Sequence, residues 1–195
     1  MESQLLYERK LPSGIFQVYS DRPIFAVKTV KQIHSDLVVD ENQAGCAADG
    51  IWGTSDAPIA VLTADCIPLV LIGKNSHAVI HAGWKGLENK ILQHALIKEM
   101  YPLYAFIGPH IRVSQYEVQK DFKNNFPGSS SFLEINNQLF FDLTKEVTEQ
   151  LKKLYPQIEI SDCEICTYTN NNFASYRRNK TPARNWNVFI PKGHL

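Results

Sequence analysis

The sequence predicts a single α+β domain with a mixed β-sheet core flanked by helices, and three observations carry that prediction. Three apolar, β-branched segments (IAVLT from Ile59, IPLVLIG after Cys66 and HAVIHAGW from His77) follow one another with only short polar breaks, as buried sheet strands do. Leu143, Val147, Leu151 and Leu154 then recur at helical spacing and stop before Pro156. No internal repeat or low-complexity linker divides the 195 residues, and that length fills one hydrophobic core, so one unit over 1–195 is expected.

In chain order, 15–20 (IFQVYS) and 24–30 (IFAVKTV) read as a hairpin with Asp21, Arg22 and Pro23 as its turn. LVV at 37–39 adds a strand. The stretch ENQAGCAADGIWGTSDAP is small, polar and without period, which predicts a long loop of the kind that carries function. Asp65 and Cys66 lie in the break between the next two strands, with Pro68 just beyond, where an interrupted strand tolerates it. Leu87, Ile91 and Ala95, with Leu92 and Leu96, predict an amphipathic helix over 87–100. YAFIGP at 104–109 is a short strand, 116–126 a helix stopped by Pro127-Gly128, and IEI at 158–160 a strand. From Thr169 onward the tail reads as loop.

Composition narrows the function classes. Hydrophobic residues make up 44% and charged residues 21%, which excludes disordered, collagen-like and coiled-coil chains. Lys plus Arg and Asp plus Glu balance at 20 each, so no global field draws the protein to nucleic acid or an anionic membrane. MESQLLYERKLPSG lacks the apolar core of a signal peptide, and no apolar run approaches the roughly 18 residues of a membrane span. A cytoplasmic monomer or homodimer is the expectation. Cys46, Cys66, Cys163 and Cys166 then read as reduced thiols, and the C-x-x-C at Cys163 and Cys166, with no second pair, as incidental.

Three stretches each put a potential ligand at a strand end: KQIHS at His34, TADCIP at Cys66 and HAGWKG at His81. If the strands flanking Cys66 and His81 pair, the two side chains meet at one end of the sheet. Two imidazoles and a thiolate make three protein ligands, the number a catalytic zinc keeps beside an open position. Their wide spacing is more often that of an inert buried thiol and two unrelated histidines.

KQIHS, ADG, TADCIPLVL, HAGWKGL, GPHI followed by YEV, and the late CTY with SYRR occur in that order from about Lys31 to about Arg184. Together they resemble the YfiH/YlmD/FAMIN family, once called laccase-domain or polyphenol-oxidase proteins, whose fold is similar to that of a bacterial deamidating toxin domain. The resemblance implies a zinc ion, with copper as the alternative metal, on His34, Cys66 and His81. It also implies purine nucleosides and inorganic phosphate as substrates. The activities implied are phosphorolysis of adenosine, inosine, guanosine and methylthioadenosine, and deamination of adenosine. Both chemistries need an oriented oxygen nucleophile and a purine helped by a proton or hydrogen bond.

Supporting groups follow from the residue types. Asp65 is a general acid or base, or a partner orienting a ligand histidine, and Cys66 is the second catalytic candidate. Asp49 serves the same ends from the glycine-rich loop or touches substrate. Lys85 grips phosphate as a point charge where the family usually has Arg. Arg177 and Arg178, with Arg184 beyond, form a basic cluster suited to phosphate, while Trp84 and Tyr176 offer aromatic faces to a purine. The sequence departs from the family in three places. Only 33 residues precede His34, RVSQ follows GPHI, and Ala183-Arg184 stands where the family has Gly-Arg.

Three rivals stand beside this reading. Cys66 and His81 suit a metal-independent cysteine hydrolase, and the same ligands suit a non-catalytic zinc- or nucleoside-binding protein. A copper oxidase would need many more histidines than the six present, which makes phenol oxidation an adventitious activity.

Overall fold

The computed structural model describes residues 3–194, so of the expected unit 1–195 only Met1, Glu2 and Leu195 lie outside the described residues. The chain opens with β1 (Leu5–Leu11) and β2 (Gly14–Tyr19), and continues through β3 (Lys28–Thr29), β4 (Val38–Asp40) and β5 (Gly50–Gly53). It then runs through β6 (Ile59–Thr63), β7 (Ile67–Ile72) and β8 (His77–Ala82) into α1 (Trp84–Glu88) and α2 (Ala95–Met100). Strands β9 (Tyr104–Ile107), β10 (Glu117–Val118), β11 (Phe132–Ile135) and β12 (Gln138–Phe141) lead to α3 (Leu143–Leu154). The last elements are β13 (Glu159–Asp162), α4 (Tyr176–Asn179) and β14 (Asn185–Pro191).

One sheet has the order β1-β2-β14-β6-β3 and a second the order β13-β9-β7-β8-β5-β4, with β10-β12-β11 as a small third. The second sheet is mixed: β7 is antiparallel to β8 and β9, whereas β13 runs parallel to β9. Its strands read as continuous apolar runs because both of its faces are covered. Val70, Ile72, Val79 and Phe106 face Phe16, Val18, Val61 and Phe189 of the first sheet. On the opposite face Leu69, Leu71 and Ile80 pack against Leu87, Ile91, Val147 and Leu151 of the helical layer. Each such side chain taken fully from water contributes roughly 1.5–3 kcal/mol. The expected α+β class, a mixed sheet core flanked by helices, holds.

Five element assignments are corrected. The hairpin is β1–β2, with register Leu11 to Gly14, and of 24–30 only Lys28–Thr29 forms strand, parallel to β6. Both edges of β2 are already taken by β1 and β14, so 24–30 cannot pair with it, and Ile24 is left 96% exposed. The predicted helix over 87–100 is broken. Lys90 adopts a left-handed φ of 66°, a 3-10 turn spans Ile91–Gln93, and His94 restarts the chain as N-cap of α2. Its spacing of Leu87, Ile91 and Leu92 reported burial rather than continuity. Residues 116–126 divide into β10, which pairs with β12, and a 3-10 helix at Lys120–Asn125. The tail is not all loop, since β14 is the middle strand of the first sheet. Its two asparagines hide the strand in the sequence. Asn187 is fully buried, and its amide donates to the Val61 carbonyl and to Thr63 Oγ1.

The stretch after β4 is not one long loop, since β5 lies inside it and pairs with β8 and β4, and its turns are held by Glu41, which is 4% exposed. Its carboxylate accepts from Ser55 N–H at 2.9 Å, Thr54 N–H at 3.0 Å and Lys28 Nζ at 2.9 Å. Burial pushes this carboxyl up, but the hydrogen bonds from Ser55, Lys28 and Thr54 outweigh it and hold the pKa at about 2, against an ordinary 4.5. A carboxyl depressed on folding stabilises the protein above its unfolded pKa, and that contribution is lost as pH falls through 4.5 towards 2. His110 adds to the same limb. It is fully buried, held between the Gly108 carbonyl and Thr144 Oγ1, and burial lowers its pKa, so its contribution declines as pH drops below the ordinary 6.5. Denaturant midpoints measured from pH 7 to pH 2 should therefore fall steadily. Glu41→Gln should remove up to roughly 3 kcal/mol at neutral pH and flatten the curve below pH 4.5. A Gln variant with the parent's acid limb would rule this anchor out.

Candidate active site

The β7–β8 register opposes Ile67 to Ala82 and Pro68 to His81, which brings Cys66 beside the end of β8. The meeting of Cys66 and His81 expected from strand pairing is thus present, with Cys66 Sγ and His81 Nε2 side by side over Gly83. Gly83 makes room for it. A Cβ at that position would stand 3.1 Å from Cys66 Sγ and 3.5 Å from His81 Nε2, within the space between them. His81 is 4% exposed. Burial lowers its pKa, but the neighbouring Cys66 and the hydrogen bond to Asp49 raise it further, to about 9.

Asp49 organises both histidines. It is fully buried and accepts from His81 Nδ1 at 2.8 Å, from His34 N–H at 3.0 Å and from Ser35 N–H at 2.6 Å and Oγ at 2.8 Å. Burial alone would push its carboxyl up, yet the bonds from His81 and Ser35 bring it down to about 2. This grip steadies residues 33–35 while His34 takes a left-handed φ of 59°. The His34 ring then lies edge-on to His81 at 5.0 Å between centroids. Desolvation and the charge of His81 lower the His34 pKa.

His34, Cys66 and His81 open on one cavity of about 610 Å³, shared with Thr63, Tyr176 and Arg184. A cavity of about 600 Å³ between α1 and the C-terminal half of α3 contains none of the expected site residues.

The other candidates distribute differently from the sequence reading. Asp49 is sealed from substrate and takes the histidine-orienting role also offered to Asp65. Asp65 turns instead to Thr167 Oγ1 at 2.7 Å and Arg177 N–H at 2.6 Å. Arg178 braces its own loop: its guanidinium donates to the carbonyls of Thr167, Tyr168 and Phe173 at 2.7, 2.9 and 2.7 Å, and it is absent from the lining of the Cys66 cavity. Trp84 packs edge-on against Phe122 at 5.1 Å and lines a neighbouring cleft with Tyr116 and Arg177 rather than the Cys66 cavity. Lys85 lies over the Trp84 ring at 5.6 Å, and Arg177 stacks on Tyr116 at 5.1 Å. Arg184 is the guanidinium that lines the Cys66 cavity, anchored through Nη1 to the carbonyls of Thr181 and Ala183.

Sequence reasoning missed Tyr116 and Gly83. The Tyr116 phenol is held up by burial and the nearby Cys66 thiol. Gly83 stood within the quoted HAGWKG, where a glycine one residue past a strand end was the available signal.

Among the described residues, no three His, Cys, Asp or Glu side chains form a ready-made metal cage. The structure provides a contacting pair, Cys66 and His81, with His34 edge-on beside it. The donor set fits a zinc ion chemically. It supplies nitrogen and sulfur, the Nδ1 atom of His81 is bonded to a buried carboxylate as in zinc-bound histidines, and Gly83 keeps the space between Sγ and Nε2 clear.

The family model described as multi-copper polyphenol oxidoreductase laccase matches residues 18–190. A purine nucleoside phosphorylase of Aquifex aeolicus is 35% identical over 161 residues, covering 78% of this chain and 77% of that protein. Purine nucleoside phosphorylase YfiH of Escherichia coli is 28% identical over 170 residues, covering 80% and 70%. The crystal structure of a Neisseria meningitidis protein superposes with a TM-score of 0.75 at 28% identity, over 85% of this chain and 74% of that one. YlmD from Geobacillus stearothermophilus gives 0.74 at 22% identity, over 85% and 73%, and shares the fold.

Proposed function

Because the chain belongs to the laccase-like family that includes YfiH and enzymes named purine nucleoside phosphorylase, we propose that it is a zinc-dependent purine nucleoside phosphorylase. Adenosine, inosine, guanosine and methylthioadenosine are its substrates, with hydrolytic deamination of adenosine as a second activity. The supporting observation is the single cavity in which Cys66, His34 and His81 face Tyr176 and Arg184. Its volume, about 610 Å³, suits a nucleoside with phosphate beside it.

In phosphorolysis a phosphate oxygen bonds to C1′ as the C1′–N9 bond breaks, and the purine leaves with the electron pair and takes up a proton. Arg184 is the group for the phosphate charge, since a guanidinium matches phosphate oxygens in pairs. Tyr176, 49% exposed, offers its ring to the purine at the rim, with Val30 and Leu62 as apolar wall. Zinc on His34, Cys66 and His81 would supply Lewis-acid polarisation of an oxygen in either reaction. Asp49 keeps His81 in the tautomer whose Nε2 faces Cys66.

The test is incubation with inosine, adenosine and methylthioadenosine, with and without phosphate, following free base and ammonia. Phosphate-dependent release of hypoxanthine is expected, and Arg184→Ala should raise the KM for phosphate roughly tenfold or more. Base release indifferent to phosphate would reject phosphorolysis.

One observation favours a second reading, a metal-independent cysteine hydrolase. Cys66, His81 and Asp49 form a thiol–imidazole–carboxylate series, with Cys66 Sγ beside His81 Nε2 and His81 Nδ1 hydrogen-bonded to Asp49. Full activity after exhaustive dialysis against a chelator would favour it over the zinc enzyme.

A further inference from the structure

We infer that Asp65 is a positioning residue for the nucleoside site: it pins the segment 167–178, which presents Tyr176 to the cavity, onto the strand corner that carries Cys66. The inference rests on the reading of that cavity as the nucleoside site.

Asp65 stands in the corner between β6 and β7 at φ 93°, in the left-handed region, and is 8% exposed. A non-glycine residue persists in that region when its surroundings over-determine it, and here they do. Thr167 Oγ1 donates to Oδ1 at 2.7 Å, the Arg177 N–H donates to Oδ2 at 2.6 Å, and the Ile111 N–H donates to the main-chain carbonyl at 2.9 Å. A glycine would suit the backbone better, so the carboxylate is the feature this position keeps at conformational cost.

The segment that Asp65 holds is braced within itself. Arg178 gathers the carbonyls of Thr167, Tyr168 and Phe173, and the buried Ser175 caps α4 by accepting from the Arg178 N–H at 3.2 Å. Thr167 is also fully buried. The loop can therefore move as one piece, and the two bonds to Asp65 tie it to the residue next to Cys66. Tyr176 directly precedes the bonded amide of Arg177 and lines the cavity. Asp65 is absent from that lining, and both its oxygens face protein donors, so it acts on substrate through Tyr176 and not by proton transfer.

Two measurements on the full-length protein decide this. Hydrogen exchange reads the pin without any substrate. Asp65→Gly, which fits the φ and removes both side-chain bonds, should speed exchange in 167–178 by tenfold or more while leaving α3 at the parent rate. Unchanged exchange there overturns the proposal.

Steady-state phosphorolysis of inosine reads the consequence. The KM for inosine should rise about tenfold in Asp65→Gly and less in Asp65→Asn, which keeps an acceptor for Thr167, with kcat within about threefold of the parent. Thr167→Val should raise KM alone but add little on top of Asp65→Gly. A loss of kcat of about 100-fold or more in both Asp65 variants would make Asp65 a general acid or base and sink the positioning role. A lowered melting temperature with unchanged KM and kcat would make it merely structural. If the parent itself releases no base from inosine, the phosphorylase reading falls, and the exchange experiment still decides whether Asp65 holds the segment.

Discussion

Cys66→Ala is expected to lower phosphate-dependent release of base by roughly 10³-fold, the several kcal/mol of transition-state stabilisation that a bound metal or an activated thiolate contributes. The fold should survive the change. Cys66 is only partly buried at a strand end, and losing one sulfur from such a position costs far less than truncating a core residue. Metal content and activity should fall together, measured by elemental analysis on protein purified without added metal. His34→Ala divides the two readings of the site. The His34 ring stands beside His81 but outside the series from Cys66 through His81 to Asp49, so a cysteine hydrolase would keep most of its activity without it. A zinc enzyme would lose a ligand, with activity falling on the order of 100-fold or more. Parent-level turnover in both variants would show that the chemistry happens elsewhere on the molecule.

Local patterns in the sequence reported burial well and partnership poorly. β6, β7 and β8 were readable because both faces of the central sheet are covered, which turns a strand into an unbroken apolar run. The break at Asp65 and Cys66 was readable for the same reason. β14 escaped because its identity as a strand depends on partners more than 100 residues away: the Asn187 side-chain N–H groups donate to Val61 and Thr63 of β6. The helix over 87–100 failed on a single backbone angle at Lys90, which hydrophobic spacing does not encode. In the site, the motifs named the residues that converge but not the job of each charge. Arg178 and Arg184 look alike in sequence, yet one is enclosed by the carbonyls of its own loop and the other lines the cavity. Asp49 and Asp65 each neighbour a functional segment, and only the fold decides that Asp49 meets His81 while Asp65 meets Thr167.

Asp49→Asn should damage the site almost as severely as loss of a ligand, although Asp49 never touches the cavity. In the parent, His81 Nδ1 bonds the carboxylate at 2.8 Å, so Nδ1 carries the proton given to Asp49 and Nε2 faces Cys66. An asparagine at 49 keeps the shape but has one acceptor oxygen for the donors of residues 33–35 and His81 together. With that oxygen turned to the N–H groups of 33–35, the amide Nδ2 donates to His81 Nδ1. The imidazole then carries its hydrogen on Nε2, aimed at Cys66, with no lone pair left to bind a cation or accept the thiol proton. Inverting a catalytic histidine's tautomer in this way costs roughly 10²–10⁴-fold in kcat. The variant should remain folded, with kcat and metal content both reduced and, above about pH 9 where the parent imidazole is neutral, the proton of His81 moved from Nδ1 to Nε2 in the nitrogen NMR shifts. Asp49→Ala differs in kind. It strands a buried imidazole and three N–H groups without a partner, and should cost roughly 3–5 kcal/mol of stability as well as activity. Near-parent kcat in a folded Asp49→Asn protein would mean that the orientation of His81 is set by Cys66 and the cavity wall, and that Asp49 serves the 33–35 turn alone.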